Sequence, residues 1–483
     1  MKTYQDLIMI TGENNSHRDE ASVMDFVRTV INDHEASDLY RTATIADRYD
    51  QKRNVTIEEY QKLLYTISGR AVPDNYSANW KIKSAFFHRF NLQEVQYLLG
   101  NGATWNNSST GDKLGKDFDT RLQEIGHKSL IGGVAFGFFN LDHLEVFAVT
   151  EFAPLYDEEN GALKAGVRFW QVAANKPLRA TLYELDGYTD YIWKNGDGSV
   201  LHPKRPYIIK IRSSEVDGTE IYDFENYPTF PIVPLWANPH HQSEIVGLRE
   251  QIDCYDLIKS GFANDIDDAS LIYWTINNAG GMDDVDLAKF IERMHTIKAA
   301  VVEDDGAKAE SHTMDVPYAS REALLTRLRS DLYEDAMALD TKAIASGGSV
   351  VTAAIKAAYE PLNSKCDDFE YCIDEFLDGI LAIAGIQDEA PTFTRSTLVN
   401  TQEEISTVVS AAQYLDSEYV TRKILNILGD GDQADDILKK MDEEDSERMT
   451  GGSEDQNPGE NPPDSTEGAG GASEGIPGQV GGE

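Results

Sequence analysis

Residues 230–268 read FPIVPLWANPHHQSEIVGLREQIDCYDLIKSGFANDIDD. A short apolar run, Phe230 to Trp236, breaks at Asn238-Pro239, and a helical pattern follows. Ile245, Leu248, Ile252, Tyr255, Phe262 and Ile266 recur mostly at three- and four-residue steps. Such spacing lays one apolar stripe along a helix and leaves Glu244, Arg249, Glu250, Asp253, Asp256 and Lys259 around the rest of it. From His241 to Ile266 the helix would be roughly 39 Å long at ~1.5 Å per residue. A stripe of that length needs neighbours to pack against.

The order of segments around this helix resembles the portal proteins of tailed bacteriophages. In that family a "P-x-x-P-x-x-x-N" strand end leads into a helix carrying "I-D-x-Y-D-x-x-x-S". Here the elements are Pro231, Pro234 and Asn238, then Ile252, Asp253, Tyr255, Asp256 and Ser260. Upstream, Asn91 to Gly100 ends in Tyr97-Leu98-Leu99-Gly100 and resembles the family's "Y-L-L-G" helix. Downstream, Ser346-Gly347-Gly348-Ser349, then Ala353-Ala354-Ile355-Lys356 and Tyr359, resemble its "S-G-x-A-(I/L)-K-x-x-Y" helix start. The likeness runs from about Asp38 to Lys440, and its weight lies in three motifs in the right order. The sequence departs from the pattern where Val350-Val351-Thr352 separates the Ser-Gly element from the alanines, and at Gln93–Gln96, where the family is usually more basic.

The composition independently fits a folded protein. Its 41% hydrophobic share can support buried cores. Against 43 Lys+Arg stand 83 Asp+Glu, a net charge of −40, which repels polyphosphate and excludes broad electrostatic gripping of nucleic acid. A strongly acidic channel wall would instead guide a duplex without phosphate ion pairs that must break as it slides. Cys254, Cys366 and Cys372 have no metal-ligand spacing and cannot make a secreted disulfide framework, so free thiols are expected. The start MKTYQDLIMITGENN is not a signal peptide, and Leu130–Leu141 falls short of a membrane span, so a host-cytoplasmic protein is expected before assembly.

Along the chain the texture changes twice. Asp19–Asp47, Ile57–Ser68, Ile82–Leu99 and Leu114–Leu130 read as helices. Gly132–Val233 carries short aromatic and β-branched runs separated by turn signals such as Asp186-Gly187 and Asn195-Gly196, an antiparallel sheet region. After the long helix, Ser270–Asn278 and Lys298–Val302 read as strands around a short helix, Asp284–His295, and Ala319–Leu339 as a second long helix. Asp340–Ser349 is a small-residue loop. Val350 to about Ile386 reads as a helix that Pro361 either kinks or breaks. The last 40 residues, 444–483, hold ten Gly, four Pro and ten acids against Arg448, a disordered tail of charge −9 that leaves −31 on the rest.

The resemblance implies an α+β, mainly helical portal fold with long stem helices, a β-rich wing, a small α/β clip and a helical crown. The implied divisions are a mobile N-terminus (1–18), wing (19–237), stem helix one (238–268), clip (269–317), stem helix two (318–339), tunnel loop (340–349), a long kinked helix towards the crown (350–398), crown helices (399–443) and the tail (444–483). It further implies a homo-oligomeric ring, twelve-fold by family analogy, at one capsid vertex of the virion. The implied partners are the terminase large subunit, a head–tail adaptor, the major capsid and scaffolding proteins, and double-stranded DNA passing through the channel, with no membrane partner.

Site expectations follow from those divisions. Thr341, Lys342, Ser346, Gly347, Gly348 and Ser349 would face DNA in the tunnel loop. For Lys342 the two readings are a phosphate contact and a cation that solvates a helix end or pairs with Asp340. Tyr273, Trp274, Asp304, Asp305 and Gly306 would form the clip's docking surface, or Trp274 would be strand core between neighbouring clips. Ile245, Leu248, Ile252, Tyr255, Phe262, Leu325, Leu328 and Leu332 would pack the stem.

No chemistry is encoded by motif. There is no G-x-x-x-x-G-K-[ST] and no G-x-G-x-x-G after a strand. His240-His241-x-x-Glu244 lacks the i, i+4 histidine pair of a zinc helix. Carboxylate pairs such as Asp267-Asp268 are solvated faces in so acidic a chain. The expectation is a non-enzymatic protein without metal or cofactor, the alternative being a helical virion adaptor or scaffold that forms no ring.

Overall fold

The computed structural model describes residues 2–12, 18–65, 69–74, 79–107, 109–213, 220–269, 273–277, 285, 289, 308–312, 318–342, 352–395, 401–429, 434–435 and 437–441. They fall into two units, Met1–Leu398 and Val399–Glu483. The fold is α+β.

Caps punctuate the first helices. Thr3 and Asp6 form a reciprocal capping box at α1 (Tyr4–Thr11). Asp19 caps α2 (Glu20–Glu35), and Ser37 caps α3 (Asp38–Asp50), dividing what the spacing reads as one helix. Leu7 of α1, in the segment expected to be a mobile start, is buried with Val23, Val27, Ile31, Leu155 and Val167, so this helix packs into the core through that residue. Helix α4 (Val55–Glu59) is short. The helix expected to Ser68 gives way to strand β1 (Leu63–Tyr65), paired antiparallel with β2 (Ala71–Pro73). Helix α5 (Phe86–Leu99) starts four residues later than the pattern suggests, because the chain before it is committed elsewhere. Strand β3 (Ala103–Trp105) follows. A short helix not expected from the sequence, α6 (Ser109–Leu114), ends at Gly115, where φ is +97°, and the helix expected from Leu114 begins at Phe118 as α7 (Phe118–Gly132).

The sheet region is antiparallel throughout. Strands β4 (Val134–Asn140) and β5 (His143–Ala148) form a hairpin. Strands β6 (Phe152–Tyr156), β7 (Leu163–Trp170), β8 (Leu178–Glu184), β9 (Gly187–Lys194) and β10 (Asp197–Arg205) make a five-stranded meander. Asn195 and Gly196, both at positive φ, close the β9–β10 hairpin as a two-residue turn. A two-stranded ribbon of β11 (Ile208–Ser213) and β12 (Glu220–Glu225) follows. Strand β13 (Ile232–Trp236) then pairs with β4 only, and as an edge strand it tolerates Pro234.

Beyond lie α8 (Arg249–Ala269) and strand β14 (Tyr273–Asn277), antiparallel to β15 (Lys308–His312). The strand expected at Lys298–Val302, and all of the helix at Asp284–His295 except residues 285 and 289, lie outside the described residues. Helix α9 (Tyr318–Asp335) and helix α10 (Thr352–Ala384) come next, and α10 is helical through Pro361. Strand β16 (Pro391–Phe393) pairs back with β3. The main core packs α10, through Leu362, Phe369, Ile373, Phe376 and Ile380, onto α5, α7 and the β4–β5 hairpin.

The second unit contains α11 (Thr401–Ala411), a 3-10 turn (Ala412–Tyr414) and α12 (Ser417–Leu428), capped by Asp416 and closed by Gly429 at φ +91°. The tail from 444 lies outside the described residues.

Candidate functional site

The junction between β13 and α8 is built by a few polar side chains. Asn238 Oδ1 accepts from the backbone N–H groups of His240 (3.1 Å) and Gln242 (3.4 Å), and its amide donates to Glu244 Oε1 at 2.8 Å. This side-chain turn replaces the helix start expected at His241, whose φ is +55°. Gly247, at φ +88°, then delays the helix to Arg249. Gly133, at φ +84°, lets this loop approach: a Cβ there would lie 2.9 Å from the Ser243 nitrogen. Ser243 Oγ donates to the Ile131 carbonyl at 2.5 Å. His240 and His241 form no cluster with Glu244. The His241 ring stacks on Trp236 at 3.8 Å, and Glu244 pairs with Lys365 at 2.9 Å.

One edge of α8 reads an extended chain. Asp256 accepts from Ser84 N–H (2.9 Å) and from the Asn54 amide. Ser260 Oγ accepts from Ile82 N–H at 2.9 Å and donates to its carbonyl at 3.4 Å. Asn264 accepts from Trp80 N–H at 2.6 Å and donates to the Trp80 carbonyl at 3.4 Å. The match is geometric. Four residues of helix rise about 6.0 Å, and two residues of extended chain about 6.6 Å, so side chains at 256, 260 and 264 meet backbone at 84, 82 and 80. This ladder is why α5 cannot begin at Ile82. Asp253 accepts from the hydroxyls of Tyr49 and Thr56, the latter at 2.7 Å. Burial pushes the Asp256 carboxyl above its ordinary pKa, although its hydrogen bonds oppose the shift.

The residues expected to pack the stem divide by depth. Ile245, Leu248, Ile252 and Leu332 are buried with Tyr49, Phe87, Phe90, Tyr333 and Ala336, and Tyr255 packs against them. Phe86 meets Tyr255 edge-on at 5.0 Å, and Phe90 meets Tyr333 at 5.2 Å. Further out, Phe262 contacts Tyr318 at 5.7 Å, and Leu325 and Leu328 are half-buried.

After α9 the chain is clamped again. Gln93 donates to the Leu339 carbonyl (3.2 Å) and accepts from its N–H (3.0 Å), a double role that a lysine or arginine could not fill. Arg329 grips Asp340 through two nitrogens at 2.6 and 2.8 Å, and Asp340 also accepts from Lys342 N–H at 3.0 Å. Asp340 is thus paired with Arg329, and Lys342 meets it through its backbone. Thr341 and Lys342 are exposed. Ser346, Gly347, Gly348 and Ser349 lie outside the described residues, as do Asp304, Asp305 and Gly306. Tyr273 and Trp274 stand opposite His312 and Ser311 in the β14–β15 ladder.

The family model for phage portal proteins, SPP1 Gp6-like, matches residues 28–448. The chain belongs to this portal protein family. Of two relatives, the portal protein of Bacillus phage SPP1 is 22% identical over 420 residues, 79% of each chain. That of Clostridium phage phiCD119 is 26% identical over 206 residues, 41% of this chain and 45% of the relative's length. Among solved structures, the neck of an empty gene transfer agent particle computed with C6 symmetry matches 71% of this chain and 90% of its own at 10% identity, with a TM-score of 0.42. The neck of the native particle computed with C12 symmetry gives 11% identity over 71% of this chain and 89% of its own, with a TM-score of 0.38. Likeness at that level carries no detail. Portal proteins are structural virion components and not enzymes.

In this portal protein the family landmarks converge. Tyr97 and Tyr359, from motifs far apart in sequence, lie 5.5 Å ring to ring, and the Tyr97 hydroxyl donates to Asn363 at 2.6 Å. Beside them, buried Lys365 of α10 holds both Glu94 of α5 (2.8 Å) and Glu244 (2.9 Å). Burial pushes the Glu94 carboxyl up to about 7, reinforced by Glu244 and opposed by Lys365. Sequence reasoning missed this triad, since nothing local marks Glu94 or Lys365 among so many charges.

Proposed function

We propose that this chain is the subunit of a ring-shaped channel at one capsid vertex, through which double-stranded DNA is packaged and ejected. The carrying observation is the family match over residues 28–448. In this reading α8 and α9 are the stem, and the β14–β15 segment belongs to the clip that docks the terminase large subunit and then head–tail adaptors. The segment after Asp340 is the tunnel loop, and the wing meets capsid and scaffolding proteins. Two features support it. The net charge of −40 suits a bore that guides a duplex without gripping it. The outer half of α9 leaves Leu324 and Tyr318 uncovered within one chain, as a helix would that packs on the next subunit.

Lys342 is the cation proposed to touch phosphate. It is exposed, and among the described residues no ion-pair partner is found for its ammonium. Packaging that is unchanged in particles carrying Lys342→Glu would remove it from that role. Trp274 is proposed as a docking anchor, and if Trp274→Ala abolishes ring formation itself, it is packing between clips instead. The reading as a whole is tested by light scattering with negative-stain imaging of the purified protein. Rings of about a dozen subunits with a central hole are expected. A chain that stays monomeric even with its capsid protein present would point to a non-ring adaptor or scaffold.

A further inference from the structure

Three wing helices bring together side chains that no spacing rule connects. Asp50 is the last residue of α3, His88 lies in the first turn of α5, and His127 is in the last half of α7. His88 Nδ1 sits 3.2 Å from one Asp50 carboxylate oxygen, and His127 Nε2 sits 3.2 Å from the other. The three ligand atoms lie within 4.8 Å of one another. The imidazole rings meet edge-on at 6.0 Å, and each presents a nitrogen to the Asp50 carboxylate.

We propose that Asp50, His88 and His127 form a binding site for a divalent transition-metal ion, with zinc as the ion best suited to the donors. Two imidazoles and one carboxylate are a borderline-soft donor set that suits zinc and its neighbours over magnesium or calcium. Ligand atoms on a tetrahedral zinc with bonds of 2.0–2.1 Å stand about 3.3 Å apart, close to the 3.2 Å between each imidazole nitrogen and its own carboxylate oxygen. Binding through a single carboxylate oxygen draws the three ligand atoms, now within 4.8 Å of one another, in to that spacing. Side-chain exposures of 34% for His88 and 25% for His127 leave the cluster open to solvent, so a water can complete the coordination. Asp47, one turn earlier, adds negative potential.

The ion would cross-link α3, α5 and α7 beside the foot of the stem. Tyr49, the residue before Asp50, donates to Asp253 of α8, so a staple at Asp50 fixes one of the stem's own supports. The proposal stands apart from the DNA-channel reading.

The test uses tag-free full-length protein, stripped with chelator and titrated with Zn²⁺ and separately with Co²⁺ as a spectroscopic probe. Expected are about one equivalent bound per chain, visible absorption of four-coordinate cobalt, and a thermal midpoint that rises with zinc. Asp50→Asn and His127→Gln should each weaken binding at least about tenfold, since losing a direct ligand costs no less than losing an outer hydrogen-bond partner. His143→Ala, which removes an exposed histidine beside Asp142, should leave it unchanged. Circular dichroism confirms that each variant is folded, and two conservative substitutions guard against one failing to fold. Absence of saturable binding, or binding kept in both ligand variants, overturns the proposal and leaves the cluster as a carboxylate hydrogen-bonded to two histidines.

Discussion

Helices α8 and α9, proposed as the stem, are held in opposite ways at their foot and in their outer half. At the foot, Ile252 and Leu332 are fully buried, Tyr255 and Tyr333 close around Phe86, and Asp256 and Ser260 tie α8 to the backbone of residues 82–84. In the outer half, α8 and α9 hold each other through Phe262 against Tyr318 and Arg321 with Asp265, while Ile266 and Leu324 stay 44% and 45% exposed. The foot is finished within one chain. The outer half has apolar surface that one chain does not cover.

This contrast predicts a graded set of outcomes. The largest is at Lys365, because Lys365→Met would leave Glu94 and Glu244 facing each other without their cation. Urea unfolding should show a loss of about 3–5 kcal/mol, as when one partner of a buried pair is removed. A loss below 1 kcal/mol would mean water reaches the triad. Ile252→Ala should cost about 2–5 kcal/mol by transfer and cavity terms, whereas Leu324→Ala on the outer half should stay within about 0.5 kcal/mol. Equal losses at the two positions would erase the distinction between the regions.

A pH experiment sharpens the same boundary. Glu94 has a raised pKa in the folded state, so its stabilising contribution is fully present below the unfolded value of about 4.3. That contribution is lost as the pH rises through about 7. Glu94→Gln removes the titration, so the stability of the variant relative to the parent should shift in its favour between pH 5 and pH 8. Thermal melts across that range check the sign, and a flat difference would show that Glu94 stays charged throughout. The smallest effect at the foot is expected for Asp256→Asn. The new amide oxygen can still accept from Ser84 N–H, and Asn54 can turn its unpaired Oδ1 towards the new amide nitrogen. The cost should be about 1 kcal/mol or less, against about 1–3 kcal/mol for Asp256→Ala, which strands the Ser84 donor.

The α+β texture and the helical nature of 249–269 were legible because apolar period and turn residues are local signals. Boundaries were less so. The start of α8 moved from His241 to Arg249 because Asn238 folds its side chain onto the following backbone, and α5 lost Ile82–Ser84 to the edge of α8. The amino-terminal helix was missed although Leu7-Ile8-Met9-Ile10 is apolar, since its burial needs a sheet that begins more than a hundred residues later. Gln93 stood out only as a departure from a basic pattern, and its use, reading both polar groups of Leu339, depends on a contact 246 residues away.

The sequence by itself determined the family, through ordered motifs, and the acidic character, through composition. It also determined most helices and strands, since capping, periodicity and turn chemistry act over a few residues. Only the tertiary structure decided what the motif side chains hold. The spacing of Asp256, Ser260 and Asn264 becomes a ladder only when an extended chain lies alongside. The triad at Lys365 and the cluster of Asp50, His88 and His127 exist because separate helices converge, with Asp50 standing 38 and 77 residues from its two histidines. Charge and coordination act through space over a few ångströms, and chain distance carries no trace of them until the helices have packed.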